Sequence, residues 1–319
     1  MARRKSAIAE PASPLSSRSR PRAIRRWARS GSSGPWVRSA ASRVGSAKRS
    51  PAGSVIRADD TRDAMCGRMT QQRPTSELAE IFDAEDRIDA PGGRFNLAPT
   101  DDAAVVVQRE DHRAITAYRW GLIPHWSDTP KTGNRMFNAR AETLDRNPAF
   151  RYAFSKRRCL VPADAYYEWK RAGNVRQPYA IVRPDGRPIA LAGLWAGWKD
   201  EDTGEVIRSF TIVTAGANEM MAPIHDRMPV MIPEEAWERW LDPTRTAGAR
   251  LAELKGLLVP SDDGWLEMYP VSRRVNDVRN DDPDLVEPIS PDAVAAGGQA
   301  STDPPEPAAP GLFDDAFES

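Results

Sequence analysis

Six apolar segments between residues 103 and 217 constrain the fold more than any other feature of the sequence. They read AAVVVQR, AITAYRW, CLVPADAYYEWK, PYAIVRP, IALAGLWAGW and SFTIVTAGA. Segments rich in β-branched and aromatic residues, bounded by Gly, Pro and Asp, are typical of β-strands. They show no regular alternation with helices, so a parallel doubly wound sheet is not indicated. The sequence therefore predicts a single compact α+β domain with a mainly antiparallel, barrel-like β-sheet.

Helical patterns flank these strands. TSELAEIF begins with a Thr that we expect to cap the helix, and the basic segment PAFRYAFSKRR is also expected to be helical. PEEAWERWL and RTAGARLAELKGLL also have helical spacing. A polar turn at Glu110–Arg113 is expected to join the first two strands.

Both ends of the chain have a composition typical of disorder. Residues 1–64 contain 15 Lys and Arg but 4 Asp and Glu, and they are rich in Ser, Pro and Ala. We considered three interpretations of this extension: a transit-type leader, a basic arm that touches nucleic acid, or sequence upstream of a true start at Met65. The domain is predicted at 65–288, and residues 289–319 are predicted to be a disordered acidic tail, because no Lys or Arg occurs from Pro291 onward.

Charge, cysteine content and hydropathy narrow the functional classes. Residues 65–319 carry 30 basic and 41 acidic side chains, so nucleic-acid binding would need a local basic patch. No run of about 18 apolar residues is present, and two cysteines make no disulfide framework. Free thiols suit a reducing compartment, so we expect a cytoplasmic protein. A glycine-rich phosphate loop and zinc-type Cys/His spacing are both missing, so no metal and no cofactor is predicted.

Met65 and Cys66 stand where the composition changes. An average cysteine is a small buried hydrophobe, which we expect for Cys159. If translation began at Met65, however, removal of that Met would leave Cys66 with a free α-amine beside its thiol. An α-amine has a pKa of about 7.7–8.0 against about 10.4 for lysine, so it is a nucleophile near neutral pH. It can form a Schiff base with an aldehyde, and the thiol can then close a thiazolidine ring.

Two polar features could serve this chemistry. Asn138, Arg140 and Glu142 alternate and would share one face of a strand, either as a solvated face or as a ligand-binding cluster in which Arg140 holds a phosphate. Glu168 stands among aromatic residues in DAYYEWK. It is either an outward-facing Glu or a desolvated carboxyl suited to general acid–base catalysis.

His225, Trp126 and a set of basic residues complete the candidates. His225 is followed by Asp226 and lies between apolar runs, so it is either a structural His or a proton carrier. Trp126, in a Pro-containing loop, could be an exposed stacking residue. Basic residues interleaved with aromatics are typical of single-stranded nucleic-acid binding. The basic residues are Arg68, Arg135, Arg140, Arg151, Lys156, Arg157 and Arg158.

Eight ordered blocks resemble the SOS response-associated peptidase (SRAP) family. They are MCGRMT, RFNLAPT, WGLIPHW, FNARAETL, RRCLVPADAYYEWK, FTIVTAGAN, IHDRMPVMI and YPVSRRVNDVRND, and they span 65–288. The resemblance implies that Cys66 is the nucleophile, with Asn138, Glu168 and His225 as active-site residues. It implies that Arg68 and Arg140 contact DNA phosphates in a basic groove and that Trp126 is a wedge. From the basic set we add Arg151 and Arg158 as DNA contacts.

The resemblance also implies a function in the DNA damage response. The family shields abasic sites by forming a thiazolidine crosslink with their open-chain aldehyde, preferably in single-stranded DNA, and is thought to cleave peptide bonds before its Cys. We expect a monomer, associated with the nucleoid in a bacterium. Two alternatives remain: a thiol peptidase acting on protein N-termini, and a non-catalytic single-stranded DNA binder with an inert Cys66.

One departure from the family pattern affects the chemistry. The family's Cys is normally the second codon, whereas here it is residue 66. This favours a start at Met65, or failing that a removable extension. A chain that keeps residues 1–64 is expected to be unable to form the thiazolidine.

Overall fold

The computed structural model describes residues 67–173 and 175–295. The predicted N-terminal extension, Cys66, and the tail beyond Ala295 lie outside the described residues. The strands are β1 Met69–Gln71, β2 Ala84–Asp86, β3 Arg94–Leu97, β4 Asp102–Gln108, β5 Arg113–Trp120, β6 Asn138–Arg140, β7 Arg158–Ala163, β8 Ala165–Ala172, β9 Val175–Val182, β10 Ile189–Lys199, β11 Val206–Gly216, β12 Arg227–Pro229 and β13 Glu267–Pro270. The α-helices are α1 Thr75–Phe82, α2 Arg151–Lys156, α3 Trp237–Leu241, α4 Gly248–Gly256 and α5 Pro291–Ala295.

Five of these strands close into a barrel. β5, β4, β7, β10 and β11 pair antiparallel in that order. The barrel closes where β11 pairs in parallel with β5, with Ser209 opposite Arg119 and Phe210 opposite Trp120. The prediction of an α+β domain with a mainly antiparallel, barrel-like sheet is therefore confirmed. A closed barrel has no free edge, so β2, β6 and β12 pair with the parts of β5 and β11 that extend beyond the closure.

A second antiparallel sheet packs beside the barrel. Its strand order is β13–β9–β8–β1–β3. Successive side chains of a strand point to opposite faces, so the two buried tyrosines of β8 serve different cores. Tyr166 joins the apolar cluster that fills the barrel, whereas Tyr167 joins a smaller cluster with Val271, Val275 and Leu285.

The barrel has apolar contacts on both faces. Trp120, Phe210, Val105 and Cys159 belong to the cluster inside it. The second face is covered by helices, as in the stack of Phe82 on Trp237 with ring centroids 4.4 Å apart. Cys159 is fully buried, as expected, and burial raises the pKa of its thiol well above the ordinary value.

Three local predictions need correction. Thr75 does not cap α1, since Pro74 holds the cap position and the Thr75 hydroxyl donates to Asp86 at 2.6 Å. The basic helix is shorter than its sequence pattern, because α2 spans only Arg151–Lys156 before the chain enters β7. The described chain also continues in ordered contacts past the predicted domain end at 288. The N–H of Ile289 donates to the carbonyl of Pro270 at 3.0 Å, and α5 follows.

Among the described residues, no helix is long and apolar enough to cross a membrane.

Gly193 on β10 provides a test of the barrel packing. A Cβ at this position would lie 2.6 Å from the Sγ of Cys159 and 2.9 Å from Val161. We therefore expect Gly193→Ala to lower the free energy of unfolding by about 1–3 kcal/mol through overpacking. Urea titration followed by tryptophan fluorescence measures this change.

Gly197 on the same strand is the matched control. A Cβ there would meet only Val206, at 3.9 Å. Gly197→Ala should leave stability unchanged or raise it by up to about 1 kcal/mol, since Gly in a strand is the less favourable residue. Equal effects of the two substitutions would contradict the packing argument.

Candidate active site

The far half of β11 organises the candidate site. Beyond the barrel closure, Ile212–Thr214 pair with β6, and Thr214–Gly216 pair with β12. Asn138 therefore lies opposite Ile212, and Arg140 lies opposite Thr214. One strand thus positions two of the predicted site residues and the strand that follows His225.

The backbone before Asn138 is held by aromatic packing. The carbonyl of Phe137 accepts from the indole N–H of Trp120 at 3.0 Å and from the N–H of Ile212 at 3.0 Å. The Phe137 ring meets Trp120 edge-on, with centroids 6.4 Å apart. Along β6, Asn138 is half-buried, Ala139 is buried and Arg140 is exposed, which is the alternation expected of a strand.

Glu168 lies on β8 and is buried, with 3% of its surface exposed. This excludes the interpretation of an outward, solvated Glu. It lies opposite Tyr179 of β9. A buried carboxyl is costly unless it is hydrogen-bonded, so such a group occurs either in a structural network or where a proton is taken or given.

The pairing of β1 with β8 brings the start of the described chain to this carboxyl. Met69 lies opposite Tyr166, and the N–H of Tyr167 donates to the carbonyl of Arg68 at 3.0 Å. Continued by one residue, the same register sets Gly67 opposite Glu168. A Cβ on Gly67 would also lie 3.9 Å from the Phe137 ring. Gly67 is therefore next to both Phe137, which precedes Asn138, and the strand of Glu168.

His225 occupies a turn before β12, with a quarter of its side chain exposed. Its Nδ1 accepts from the N–H of Arg227 at 3.2 Å and lies 2.8 Å from an Asp226 carboxylate oxygen. In the neutral ring, acceptance at Nδ1 sets the proton on Nε2. In the protonated ring, Nδ1–H can donate to Asp226. Both protonation states thus have a partner, which suits a residue that exchanges a proton.

An ion pair that the sequence did not predict links the turn after β6 to β12. Arg227 donates through both terminal nitrogens to Glu142, at 3.2 and 3.0 Å, and to the carbonyl of Thr214 at 2.7 Å. Burial alone would raise the pKa of Glu142, but the hydrogen bonds and charge of Arg227 lower it on balance. The prediction that Glu142 shares a strand face with Asn138 is wrong, because β6 ends at Arg140 and residues 141–143 form a 3₁₀ turn.

Arg68 is held by the protein itself. Its guanidinium donates to Asn96 at 2.9 Å and to the carbonyl of Val275 at 2.6 Å, and it lies 6.0 Å from the Trp169 ring. Burial lowers the pKa of Arg68. These contacts tie the start of β1 to the segment after β13. The predicted contact of Arg68 with a phosphate stays a prediction.

The other predicted DNA contacts divide into exposed and buried residues. Arg140 and Arg151 are exposed, and Trp126 has 53% of its surface exposed. Arg158 is 3% exposed and donates to the carbonyls of Trp240 and Phe154, both at 2.6 Å, and of Asp242. Burial lowers the pKa of Arg158 to about 10. A phosphate cannot reach this guanidinium, so the prediction that Arg158 contacts DNA is corrected to a structural role.

The described residues contain no group of three or more His, Cys, Asp or Glu side chains arranged to hold a metal ion.

Comparison with known proteins settles the family. The sequence pattern of the family described as SOS response associated peptidase (SRAP) matches residues 65–278. The chain belongs to the SRAP family. The matched residues include every predicted site residue.

Relatives of this SRAP protein carry names that refer to DNA lesions. It is 36% identical to "abasic site processing protein YoqW" of Bacillus subtilis, over 70% of this chain and 99% of that protein. It is 32% identical to "abasic site processing protein YedK" of Escherichia coli, over 70% of this chain and all of that protein. It is 31% identical to the protein named HMCES of Gallus gallus, over 61% and 66% of the two chains.

Solved structures resemble this SRAP domain. A crystal structure of a protein from Bacteroides thetaiotaomicron superimposes with a TM-score of 0.63 at 25% identity, covering 70% of this chain and all of that one. A protein from Bordetella bronchiseptica gives a TM-score of 0.55 at 26% identity, covering 65% of this chain and all of that one.

The buried position of Arg158 in this SRAP protein leads to a prediction about its stability. Arg158→Met should lower the free energy of unfolding by more than about 2 kcal/mol, because three backbone carbonyls lose a donor and two of these hydrogen bonds are buried. Arg151→Met, at the exposed start of α2, should change stability by less than about 0.5 kcal/mol. Thermal and urea unfolding measure both. Equal stability of the two variants would show that the Arg158 hydrogen bonds contribute little.

Proposed function

We propose that this SRAP protein processes abasic sites by covalently attaching Cys66 to the aldehyde of an abasic site in single-stranded DNA. The observation that carries the proposal is the convergence at Gly67, two residues before β1, where the continued β1–β8 register faces Glu168 and the Phe137 ring lies close. The residue before Gly67 is one Cα–Cα step of about 3.8 Å away. The names of the relatives support abasic-site processing as the general activity.

The first step is imine formation. The lone pair of the Cys66 α-amine attacks C1′ of the open-chain aldehyde and gives a carbinolamine. Loss of its hydroxyl as water then forms the C=N bond. This loss requires a proton donor at the departing oxygen, and we assign that role to Glu168. The reaction needs a free α-amine, so it belongs to a form of the chain in which Cys66 is the first residue.

The second step closes the ring. The Cys66 sulfur adds to the imine carbon, a C–S bond forms, and the nitrogen takes up the proton that the thiol releases. The product is a thiazolidine, and water is the only molecule released in the two steps. No oxidant or reductant is consumed.

The remaining site residues position the lesion. Asn138 is proposed to hold the Cys66 amine or a sugar oxygen, because its backbone is fixed by the contacts of Phe137. His225 is proposed to exchange the proton of the sugar hydroxyl as the sugar ring opens, since its ring has partners in both protonation states. The Arg227–Glu142 ion pair would hold the His225 turn against β6.

DNA binding is proposed to use exposed residues next to these groups. Arg140 and Arg151 would contact phosphates, which gives affinity without sequence preference. Trp126 would stack on a base beside the lesion. For Arg68, we propose that the main role is to position β1, because its guanidinium already donates to the Asn96 side chain and to the Val275 carbonyl.

The proposal includes one peptidase activity, which is hydrolysis of the peptide bond before Cys66. Any residue before Cys66 blocks its α-amine, and cleavage of the bond before Cys66 would release it. The predicted catalytic domain belongs to the same proposal, since the proposed catalytic groups all lie within 65–288.

The decisive experiment compares two chains. A chain started at Met65, with removal of that Met confirmed by mass, is mixed with single-stranded DNA that carries one abasic site. We expect a covalent band on a denaturing gel, and no band from the 319-residue chain with its extension intact. Cys66→Ser in the short chain should form no thiazolidine.

Other outcomes would discriminate the alternatives. A band from the full chain with residues 1–64 still attached would mean that the α-amine is not the nucleophile. Absence of a band from both chains would overturn the crosslinking proposal. Release of a test peptide from the Cys66 amine without any band would then favour the peptidase, and unchanged DNA affinity of Cys66→Ser would favour the non-catalytic binder.

Glu168→Gln tests the proposed proton donor. The amide keeps the shape of the carboxyl but cannot give a proton, so the crosslinking rate at saturating DNA should fall on the order of 10²-fold or more. Glu267→Gln is the control, because Glu267 is an exposed residue of β13 and loses the same charge. Equal rates for both variants would remove Glu168 from the mechanism.

A further inference from the structure

Arg157 lies between two aromatic rings at the surface end of the barrel. The centre of its guanidinium is 5.2 Å from the Tyr152 ring and 5.1 Å from the Trp195 ring. Tyr152 is on α2 and Trp195 is on β10, whereas Arg157 lies between α2 and β7. Two ring contacts at these distances favour the cation and restrict the orientation of the guanidinium.

Two further rings lie next to this group, each tilted against its neighbour. Tyr118 lies 5.5 Å from Trp195 on the buried side, and His125 lies 6.0 Å from Tyr152 on the exposed side, measured between centroids. We call these five residues the aromatic ladder. Tyr152 has 46% of its surface exposed, so its outer part is open to a ligand.

The edge of the Arg157 guanidinium has no protein partner within the described parts of the chain. No carboxylate forms an ion pair with it, and no described acceptor takes its side-chain N–H groups. Other surface arginines differ, as in the pairs of Arg183 with Asp185 and Arg279 with Asp277. A planar, pre-oriented fork of N–H donors with a positive charge fits a phosphate.

The charges around the ladder favour an anion. Arg151 and Lys156 of α2 are both exposed, and no ion pair of theirs is found in the described residues. Asp128 is the acidic residue of the neighbouring loop, and it is exposed. The flanking segments therefore contribute more positive than negative charge.

The ladder and the proposed lesion site lie on strands that flank β11. Trp195 lies opposite Phe210 on β11, and Asn138 lies opposite Ile212 on the other side of the same strand. Two strand spacings across β11, with an offset of two residues along it, separate the two Cα atoms by roughly 12 Å. Trp195 and Phe137 also pack against the same barrel cluster. A DNA strand with its lesion at Asn138 would reach the ladder with its adjoining nucleotides.

We propose that the aromatic ladder is a second contact for single-stranded DNA, on one side of the lesion. The edge of Arg157 binds a backbone phosphate, and the exposed part of Tyr152 stacks on a base. This inference rests on the proposed function, because it takes the lesion-bearing strand to lie at Asn138. It adds two residues, Arg157 and Tyr152, to the DNA-binding surface.

The test measures non-covalent affinity. Single strands carrying the tetrahydrofuran analogue of an abasic site have no aldehyde, so they bind the Cys66 form of the protein without crosslinking. Fluorescence anisotropy gives Kd over a range of salt concentrations for wild type, Arg157→Gln, Tyr152→Ala and the control Arg250→Gln. Arg250 is an exposed residue of α4 and loses the same charge.

Both ladder variants should weaken binding, but only Arg157→Gln should change its salt dependence. Arg157→Gln should raise Kd about tenfold and reduce the slope of log K against log salt by about 0.7, the value for one phosphate contact with a single strand. Tyr152→Ala should raise Kd about five- to tenfold and leave the slope unchanged, because a ring carries no charge. Arg250→Gln should change neither quantity by more than about twofold.

Position along the strand gives an independent readout. With the analogue at the 5′ end or at the 3′ end, the effect of Arg157→Gln should persist for one strand and vanish for the other. An effect that persists for both strands would overturn the placement on one side of the lesion. Arg157→Gln with the Kd and slope of Arg250→Gln would overturn the phosphate contact and leave the ladder a structural stack.

Failure of this inference is distinguishable from failure of the proposed function. Crosslinking of a true abasic site by wild type tests the function, and it is unaffected by the outcome for Arg157. If Arg157→Gln does not fold, as judged by circular dichroism, Tyr152→Ala decides, since its half-exposed ring is not part of the core. No loss of affinity in Tyr152→Ala would then overturn the proposal.

Discussion

The parallel pairing of β11 with β5 is the contact on which the rest of the structure depends. Only two residue pairs make it, Ser209 with Arg119 and Phe210 with Trp120, yet they close the barrel. The chain then turns at Gly121, whose φ of 120° is open to glycine, and whose N–H donates to Phe210 at 2.7 Å. A Cβ at Gly121 would lie 2.5 Å from the Gly133 carbonyl oxygen, so the loop that returns to Asn138 also packs on this corner.

β11 therefore has two parts with different structural roles. Its first part completes the barrel, and its last residues hold β6 and β12. The positions of Asn138, Arg140 and the His225 turn are thus set by a strand whose other end is fixed in a closed sheet. Such support lets polar residues keep their geometry without being held by their own side-chain contacts alone.

The sequence predicted the strands well, because a pattern of β-branched and aromatic residues is local information. It could not predict which strands pair, and so it missed the Arg227–Glu142 contact, whose partners are 85 positions apart. It also treated Lys156, Arg157 and Arg158 as one basic surface. The entry into β7 turns Arg158 inward to the carbonyls of Phe154 and Trp240, while Arg157 remains between Tyr152 and Trp195. A list of charges cannot distinguish a guanidinium that satisfies backbone carbonyls from one that faces solvent.

The place of β1 in its sheet has a mechanical consequence. β1 is flanked by β8 on one edge and β3 on the other, so it is an interior strand. In the proposed crosslink, tension along the DNA would enter the protein at the residue before Gly67 and load both rows of hydrogen bonds along the strand axis. Interior strands loaded in shear resist extraction better than an edge strand that peels away one bond at a time. The attachment point would then be anchored to the sheet through both edges of β1.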